Sequence, residues 1–163
     1  MKLTYKRYEE IAQCAENCYK RFKTRNALQI FSYLNIDYSF INLKGKIGGF
    51  THKEENYKRK FCVYINNRYD TYSRKIIAAH ELGHILLHGN DDLNTFSEEI
   101  STEIPEYEAN LFALIFMPHI QPQNISFREL SIIELQEYIC SKLYFSNEKS
   151  IINSRNCWIH VNL

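Results

Sequence analysis

The chain has none of the long apolar segments that mark membrane or secreted proteins. A membrane-spanning helix needs roughly 20 apolar residues, whereas the run from Leu111 to Met117 has only seven. The opening residues, MKLTYKRYEE, contain no apolar core of the kind that signal peptides carry. The five cysteines are odd in number, and Cys14 and Cys18 have no second pair nearby, so we expect core thiols in reduced form. These absences together predict a cytoplasmic protein.

A strong charge of either sign is also missing, since the net charge is +1. Residues 1–75 hold 16 basic and seven acidic side chains, whereas residues 76–127 hold eight acidic and no basic ones. The overall balance favours neither nucleic acid nor a membrane surface. The basic clusters of the N-terminal half are more typical of solvated helix faces than of a DNA-binding surface. We therefore expect no direct contact with nucleic acid or membrane, and the acidic segment suits a cation.

The most informative segment is His80–His84, which reads HELGH and follows the apolar residues 76–79 in a stretch typical of a helix. Residues four apart share one face of a helix, about 6 Å apart along its axis, so both imidazoles can bind one zinc ion. Glu81 lies beside them, where it can take a proton from water. Histidine is scarce, yet three of the six fall within residues 80–88. The motif predicts a zinc-dependent hydrolase of the peptidase type.

A zinc ion held by two histidines needs a third protein ligand and one open position. The longer pattern H-E-x-x-H-x-x-G-x-x-H, which supplies a third histidine, is excluded. The positions where it requires glycine and histidine are Leu87 and Asn90 in this chain. His88 lies two helical turns from His80, about 12 Å away, which is too far to complete one site with both motif histidines. The third ligand must therefore come from elsewhere in the chain.

The acidic helix downstream supplies the candidates Glu103, Glu106 and Glu108. Glu108 precedes three apolar residues on its own helical face: Leu111, Phe112 and Ile115. A carboxylate buried there is stable only if it is paired or ligating. Glu103 and Glu106 lie in the first turn, where the helix dipole alone accounts for acidic residues. We therefore predict Glu108 as the third ligand, with Glu106 as the alternative.

Two segments resemble the ImmA/IrrE family of metallo-endopeptidases. His80–His88 is similar to the HELGH-type helix of that family, and Tyr107–Pro118 is similar to its E-A-N-x-F-A…M-P helix. The resemblance covers residues 76–118. It implies cleavage of an HTH-type repressor, often one encoded beside the protease on a mobile element or prophage. It also implies a zinc (Zn²⁺) site whose ligands are His80, His84 and Glu108. In that site Glu81 is the base.

The order of predicted elements gives an α+β fold in a single zincin-like domain over residues 1–163. A small three-stranded sheet is expected to pack on the HELGH helix. Four regions are expected along the chain. They are two N-terminal helices (1–35), the sheet (36–66), the metal-site helices (72–118) and the C-terminal helices (126–156).

Several roles stay open at this stage. Asn110 and backbone carbonyls are candidates to bind the second nitrogen of each ligating histidine. His88, Tyr107 or one of several other tyrosines could stabilise an oxyanion. An extended substrate is expected to add a strand at the sheet edge near Phe61–Ile65. The alternative function is a non-catalytic regulator, stabilised by zinc, that inactivates a repressor by binding it. Glu81 argues against this alternative, because a structural zinc site does not need it.

Overall fold

The protein has the α+β architecture that the sequence predicts. The computed structural model describes residues 3–44, 47–54, 61–89, 103–123, 126 and 128–146. In chain order the elements are α1 (Tyr5–Phe22), α2 (Ala27–Tyr33), β1 (Asp37–Ile41), β2 (Gly49–Lys53), β3 (Phe61–Asn66), α3 (Thr71–His88), α4 (Glu103–Phe116), a 3₁₀ turn (Pro118–Ile120) and α5 (Ile132–Cys140). The part of the expected helical region 126–156 that follows residue 146 lies outside the described residues. No helix within these ranges is both long and apolar enough to cross a membrane.

The three strands form a mixed sheet in the order β1–β3–β2. β1 runs parallel to β3, and β2 runs antiparallel to it, with Gly49 opposite Ile65 and Thr51 opposite Val63. β3 is therefore the central strand, and both of its edges are already paired. The expectation that a substrate adds a strand at Phe61–Ile65 is wrong for this reason. The outer strands of the described sheet are β1 and β2.

Helix α3 lies at the centre of the fold. Its residues from Ile76 to Gly83 are all buried. Strands β2 and β3 and helices α2 and α4 pack against it, and α1 and α5 pack in turn on α4. Polar side chains are stable in such an enclosed stretch only where they have partners. His80 and Glu81 lie within it, so the partners of these two residues define the chemistry of the fold.

Helix α1 closes the core on the far side of α4, with Ile11, Ala15 and Cys18 buried. Burial raises the pKa of the Cys18 thiol to about 12, and it also raises the pKa of the half-buried Cys14. Both thiols are therefore protonated at neutral pH. Cys18 belongs to the hydrophobic core, and Cys14 packs against it, as expected for core thiols.

Helices α3 and α4 approach closely where Gly83 faces Ala109. A Cβ atom at Gly83 would lie 3.1 Å from Ala109 Cα, 3.1 Å from Phe112 Cδ1 and 3.2 Å from the Ala109 carbonyl oxygen. Ordinary contacts between carbon atoms are longer, about 3.5–4.0 Å. The absence of a side chain at Gly83 thus lets the helices meet. Side chains on the Ala109 face of α4 can then reach α3.

We expect Gly83→Val to destabilise the protein by about 2–3 kcal/mol, because overpacking of a filled interior costs roughly that much. Urea unfolding followed by circular dichroism measures the change in the free energy of unfolding. Lys75→Val is the matched control, since Lys75 is exposed on the same helix. Its effect is expected to stay below about 0.5 kcal/mol. Equal losses in the two variants would contradict a close contact at Gly83.

Candidate metal centre

His80 and His84 lie one turn apart on α3, and their rings converge. His80 is fully buried, and His84 is partly exposed. Their Nε2 atoms are 3.0 Å apart, and the ring centroids are 4.6 Å apart with an interplanar angle of 80°. Both rings turn the same nitrogen toward one point. This is the arrangement that an H-E-x-x-H helix gives to two ligands of one metal ion.

Glu106 brings a carboxylate to the same point. Its Oε2 lies 3.3 Å from His80 Nε2, and its Oε1 lies 3.1 Å from His84 Nε2. One ligand atom from each of the three residues lies within 4.8 Å of the others. Glu106 is in the first turn of α4, one turn before Ala109. The close approach of the helices at Gly83 therefore carries its side chain to the histidines.

Glu108, predicted as the third ligand, is not brought to His80 and His84. It is buried, as its apolar helical face indicated. Its carboxylate is bound by Arg7 of α1, with Nε 2.7 Å from Oε1 and Nη2 2.5 Å from Oε2. The requirement for a partner is thus met by a guanidinium. On geometry, Glu106, the alternative named from the sequence, replaces Glu108 as the candidate third ligand.

The donor atoms fit a zinc ion. Zinc–ligand bonds of about 2.0–2.1 Å in a tetrahedron place the donors roughly 3.3 Å apart. The separations among the two Nε2 atoms and the Glu106 oxygens are 3.0–3.3 Å. Two imidazoles and one carboxylate are also the composition of open, catalytic zinc sites, whereas structural sites are closed by four protein ligands. His84 and Glu106 are only partly buried, so the site can be reached from solvent.

The ends of two helices provide a matching electrostatic environment. His84 lies in the last turns of α3, which ends at His88, and Glu106 lies in the first turn of α4. The negative C-terminal end of a helix favours a cation, and the positive N-terminal end favours an ionised carboxylate. The dipole of α3 therefore favours a cation near His84, and the dipole of α4 favours a negative charge on Glu106.

Asn110 fixes the orientation of the buried histidine. Its Oδ1 lies 2.9 Å from His80 Nδ1. Because an amide oxygen can only accept a hydrogen bond, this contact places the proton on Nδ1 and leaves the lone pair on Nε2, which faces Glu106. Asn110 follows Glu106 by four residues and so shares its helical face. This is the contact that the sequence suggested for Asn110.

Glu81 is fully buried and is held from the sheet. The hydroxyl of Thr51, on β2, donates a hydrogen bond of 2.7 Å to Glu81 Oε2. Strand β2 lies close to α3 here, since a Cβ atom at Gly49 would be 2.9 Å from Ile77 Cγ2 and 3.5 Å from Glu81 Oε1. Sequence reasoning missed Thr51. Alternate residues of a strand share a face, so Gly49 and Thr51 lie on the same face of β2. This pattern points to Thr51 as a partner of Glu81 only when β2 is known to pack on α3.

The two residues named for oxyanion stabilisation make contacts around the site, and that role stays a prediction for both. The hydroxyl of Tyr107 donates to the carbonyl oxygen of Leu130 at 3.1 Å, and burial raises the pKa of this tyrosine. His88 Nε2 lies 3.4 Å from Glu108 Oε2. The first contact ties α4 to the segment before α5, and the second ties the end of α3 to α4. Both residues therefore serve the packing around the site.

Comparison with known proteins agrees with this geometry. Residues 31–145 match the family model Peptidase_M78, described as the IrrE N-terminal-like domain. A protein of Bacillus phage phi105, named "Uncharacterized immunity region protein 2", is 31% identical over 109 residues, which are 66% of this chain and 67% of that protein. A metallopeptidase family implies a metal ion and a protein substrate. The donor atoms described above suit a metal ion. The chain belongs to the ImmA/IrrE family of metallopeptidases.

Proposed function

We propose that this protein is a zinc-dependent endopeptidase that cleaves an HTH-type repressor or another regulatory protein of a prophage or mobile element. It would then act in the cytoplasm as an anti-repressor. The observation that carries the proposal is the convergence of His80, His84 and Glu106 on one point, with the buried carboxylate of Glu81 next to His80 in the chain. Two ligand histidines, one ligand carboxylate and a separate carboxylate base are what metal-assisted hydrolysis of an amide requires.

Each residue of the site has its own role in the proposed reaction. Zinc bound by His80, His84 and Glu106 would polarise a peptide carbonyl and lower the pKa of water. Glu81 accepts the proton of the attacking water and passes it to the leaving amine. Thr51 fixes one oxygen of that carboxylate through its 2.7 Å hydrogen bond. Asn110 fixes the tautomer of His80, as a neighbouring acceptor does for most ligating histidines.

The substrate is expected to bind along β2. This strand is an outer strand of the described sheet, and its Thr51 touches Glu81. An extended peptide can pair with the backbone of an outer strand and place alternate side chains on each face. A peptide paired at Thr51 passes beside the base. Strand β2 therefore replaces the β3 segment as the proposed docking edge.

The nature of the substrate is supported by the phage relative. That protein is named for the immunity region of phage phi105. A regulatory protein of a prophage or mobile element is consistent with such a setting. It is also the substrate class that the resemblance of His80–His88 and Tyr107–Pro118 implies.

The hydroxyl of Thr51 is expected to matter for the rate of cleavage. Thr51→Val keeps the shape of the side chain but removes the donor to Glu81, and a hydrogen bond to a charged group contributes about 1.5–3 kcal/mol. We expect kcat to fall roughly tenfold or more, with KM and zinc content unchanged. Thr51→Ser keeps the donor and is expected to retain most of the activity. A serine variant as slow as the valine variant would show that the hydroxyl is not the important group.

The test of the proposed function is co-expression of this chain with the HTH-type repressor encoded nearest to its gene. The wild type is compared with Glu81→Gln, and the repressor is measured by intact mass. A pair of new fragments with the wild type alone supports the endopeptidase and locates the scissile bond. The fragments also show whether cleavage occurs at one site.

Other outcomes would overturn the proposal. An intact repressor held in a complex by both forms would favour the non-catalytic regulator. Fragments produced equally by both forms would mean that Glu81 is not the base. An intact repressor without any complex would mean that this repressor is the wrong partner or that cleavage needs a trigger.

A further inference from the structure

Arg7 of α1 holds Glu108, a buried carboxylate to which no catalytic or ligating role has been given. The side chain of Glu108 is 4% exposed. The guanidinium of Arg7 contacts both of its oxygens, at 2.7 and 2.5 Å, and reaches Glu10 at 3.1 Å. The bond to Glu108 raises the pKa of Arg7 above its usual value. This is a two-point contact between a guanidinium and a carboxylate, the strongest kind of ion pair.

The position of Glu108 on α4 links this ion pair to the metal centre. Glu106 and Asn110, four residues apart, lie on the face that meets His80. Glu108 lies between them in sequence, about 200° around the helix from Glu106. A helix is a rigid cylinder over this distance. Fixing the direction of Glu108 therefore fixes the direction of Glu106.

Arg7, the residue that holds Glu108 of α4, is distant from it in the sequence. Arg7 and Glu108 are 101 residues apart, and α1 lies outside the matched segment 31–145. His88, one turn beyond His84, approaches the same carboxylate oxygen of Glu108 at 3.4 Å. Glu108 is thus held between α1 and the end of α3. Its position depends on α1 as much as on the helices that carry the metal centre.

We propose that Arg7 is a positioning residue for the metal centre: by binding Glu108, it keeps α4 turned so that Glu106 faces His80 and His84. The inference rests on the proposed function, because it takes these three residues as ligands. Under this proposal, helix α1 contributes to the geometry of the metal centre through Arg7.

The physical reason lies in the energy of a buried charge. Removing one partner of a buried ion pair leaves an uncompensated charge, whereas replacing both partners by apolar groups is often neutral. Without Arg7, the buried carboxylate of Glu108 is left without its guanidinium partner, and a turn of α4 toward solvent lowers the cost of that charge. Such a turn moves Glu106 away from His80 and His84. The result is a weaker metal site with altered geometry.

The test uses the full chain and two measurements that do not depend on activity. The zinc dissociation constant is measured by competition with a chromophoric chelator, and the visible spectrum of the cobalt-loaded protein reports the geometry around the metal. We expect Arg7→Met to bind zinc about 10- to 100-fold more weakly, the usual loss when a supporting residue of a metal ligand is removed. Its cobalt spectrum is expected to change. The double variant Arg7→Met/Glu108→Met is expected to bind within about threefold of the wild type, because both charges are gone.

Arg128→Met is the matched control. Arg128 forms an ion pair with Glu9 of α1 at 2.9 Å, on the surface. Its loss removes an arginine contact to the same helix without touching Glu108. We expect wild-type zinc affinity and an unchanged cobalt spectrum. An effect as large as that of Arg7→Met would overturn the proposal, since any loosening of α1 would then suffice.

The remaining outcomes also decide the matter. Wild-type zinc affinity in Arg7→Met would overturn the inference alone, and so would a double variant as weak as the single one. If Arg7→Met does not fold, Arg7→Lys replaces it, and wild-type affinity in that variant overturns the two-point grip. Absence of zinc binding by the unaltered chain would overturn the proposed metal centre and the inference together. The two failures are therefore distinguishable.

Discussion

Glu106→Ala is expected to lose zinc, whereas Glu108→Ala is expected to keep it. The carboxylate of Glu106 lies 3.1 and 3.3 Å from the two imidazole nitrogens, and that of Glu108 is bound by Arg7. Residues that only support metal ligands usually change metal affinity by about 10- to 100-fold. Loss of a ligand is expected to exceed that range. The zinc content of protein purified without added metal measures the difference.

The matched pair makes this comparison sharp. Both variants remove one carboxylate from the same helix, two residues apart, so effects of charge and helix propensity are nearly equal. The free energy of unfolding of the zinc-free protein serves as the control for folding. Glu108→Ala is expected to lower it more, because Arg7 loses a buried partner. Zinc retained in Glu106→Ala and lost in Glu108→Ala would restore the assignment made from the sequence.

Glu81→Gln is expected to reduce the rate of cleavage by about 10²- to 10⁴-fold, the contribution of a general base. This corresponds to about 3–5 kcal/mol in the activation barrier. Glutamine has the same shape and can still accept the hydrogen bond of Thr51 through its amide oxygen. It cannot accept a proton at neutral pH. We therefore expect the fold and the zinc affinity to stay unchanged while catalysis fails.

Single-turnover cleavage of the purified repressor measures this effect directly. Zinc content and thermal unfolding of the same preparation provide the controls. A slow variant that also lacks zinc would assign Glu81 to the metal site and not to proton transfer. A variant that cleaves at the wild-type rate would require another base.

Much of the fold follows from local patterns in the sequence. The apolar stretch before His80 predicted a buried helix, and the apolar face after Glu108 predicted a buried carboxylate. Both are local properties of one helix. The periodicity of a helix is enough to determine which of its faces is turned inward. It did not choose between Asn110 and backbone carbonyls as the partners of the ligating histidines, and the structure shows the contact of Asn110 with His80.

The third ligand could not be chosen from the same pattern, because its choice depends on a residue far away in the sequence. Burial of Glu108 required a partner, and both a metal ion and an arginine meet that requirement. Arg7 is 101 residues distant and carries no motif. The informative signal was the pair of small residues Gly83 and Ala109, which mark where α3 and α4 approach most closely. Glu106 lies on that face, but only the packing of the two helices shows it.

The docking edge of the sheet was also beyond local reasoning. Phe61–Ile65 is rich in strand-forming residues, and such composition predicts a strand without fixing its place in the sheet. Strand order depends on pairing between distant segments. The structure places β3 in the middle, and the docking edge that we propose is therefore β2.

The outer position of β2 has a consequence for which proteins can be degraded. A polypeptide that pairs with this strand must first give up its own backbone hydrogen bonds over several residues. Such segments are rare on the surface of a folded domain and common in linkers, or where a domain opens transiently. We expect the lifetime of the substrate to follow how often that segment opens. If the substrate is a repressor, as proposed, a ligand that tightens the repressor would protect it, and one that loosens it would hasten its removal, with no change in the protease itself.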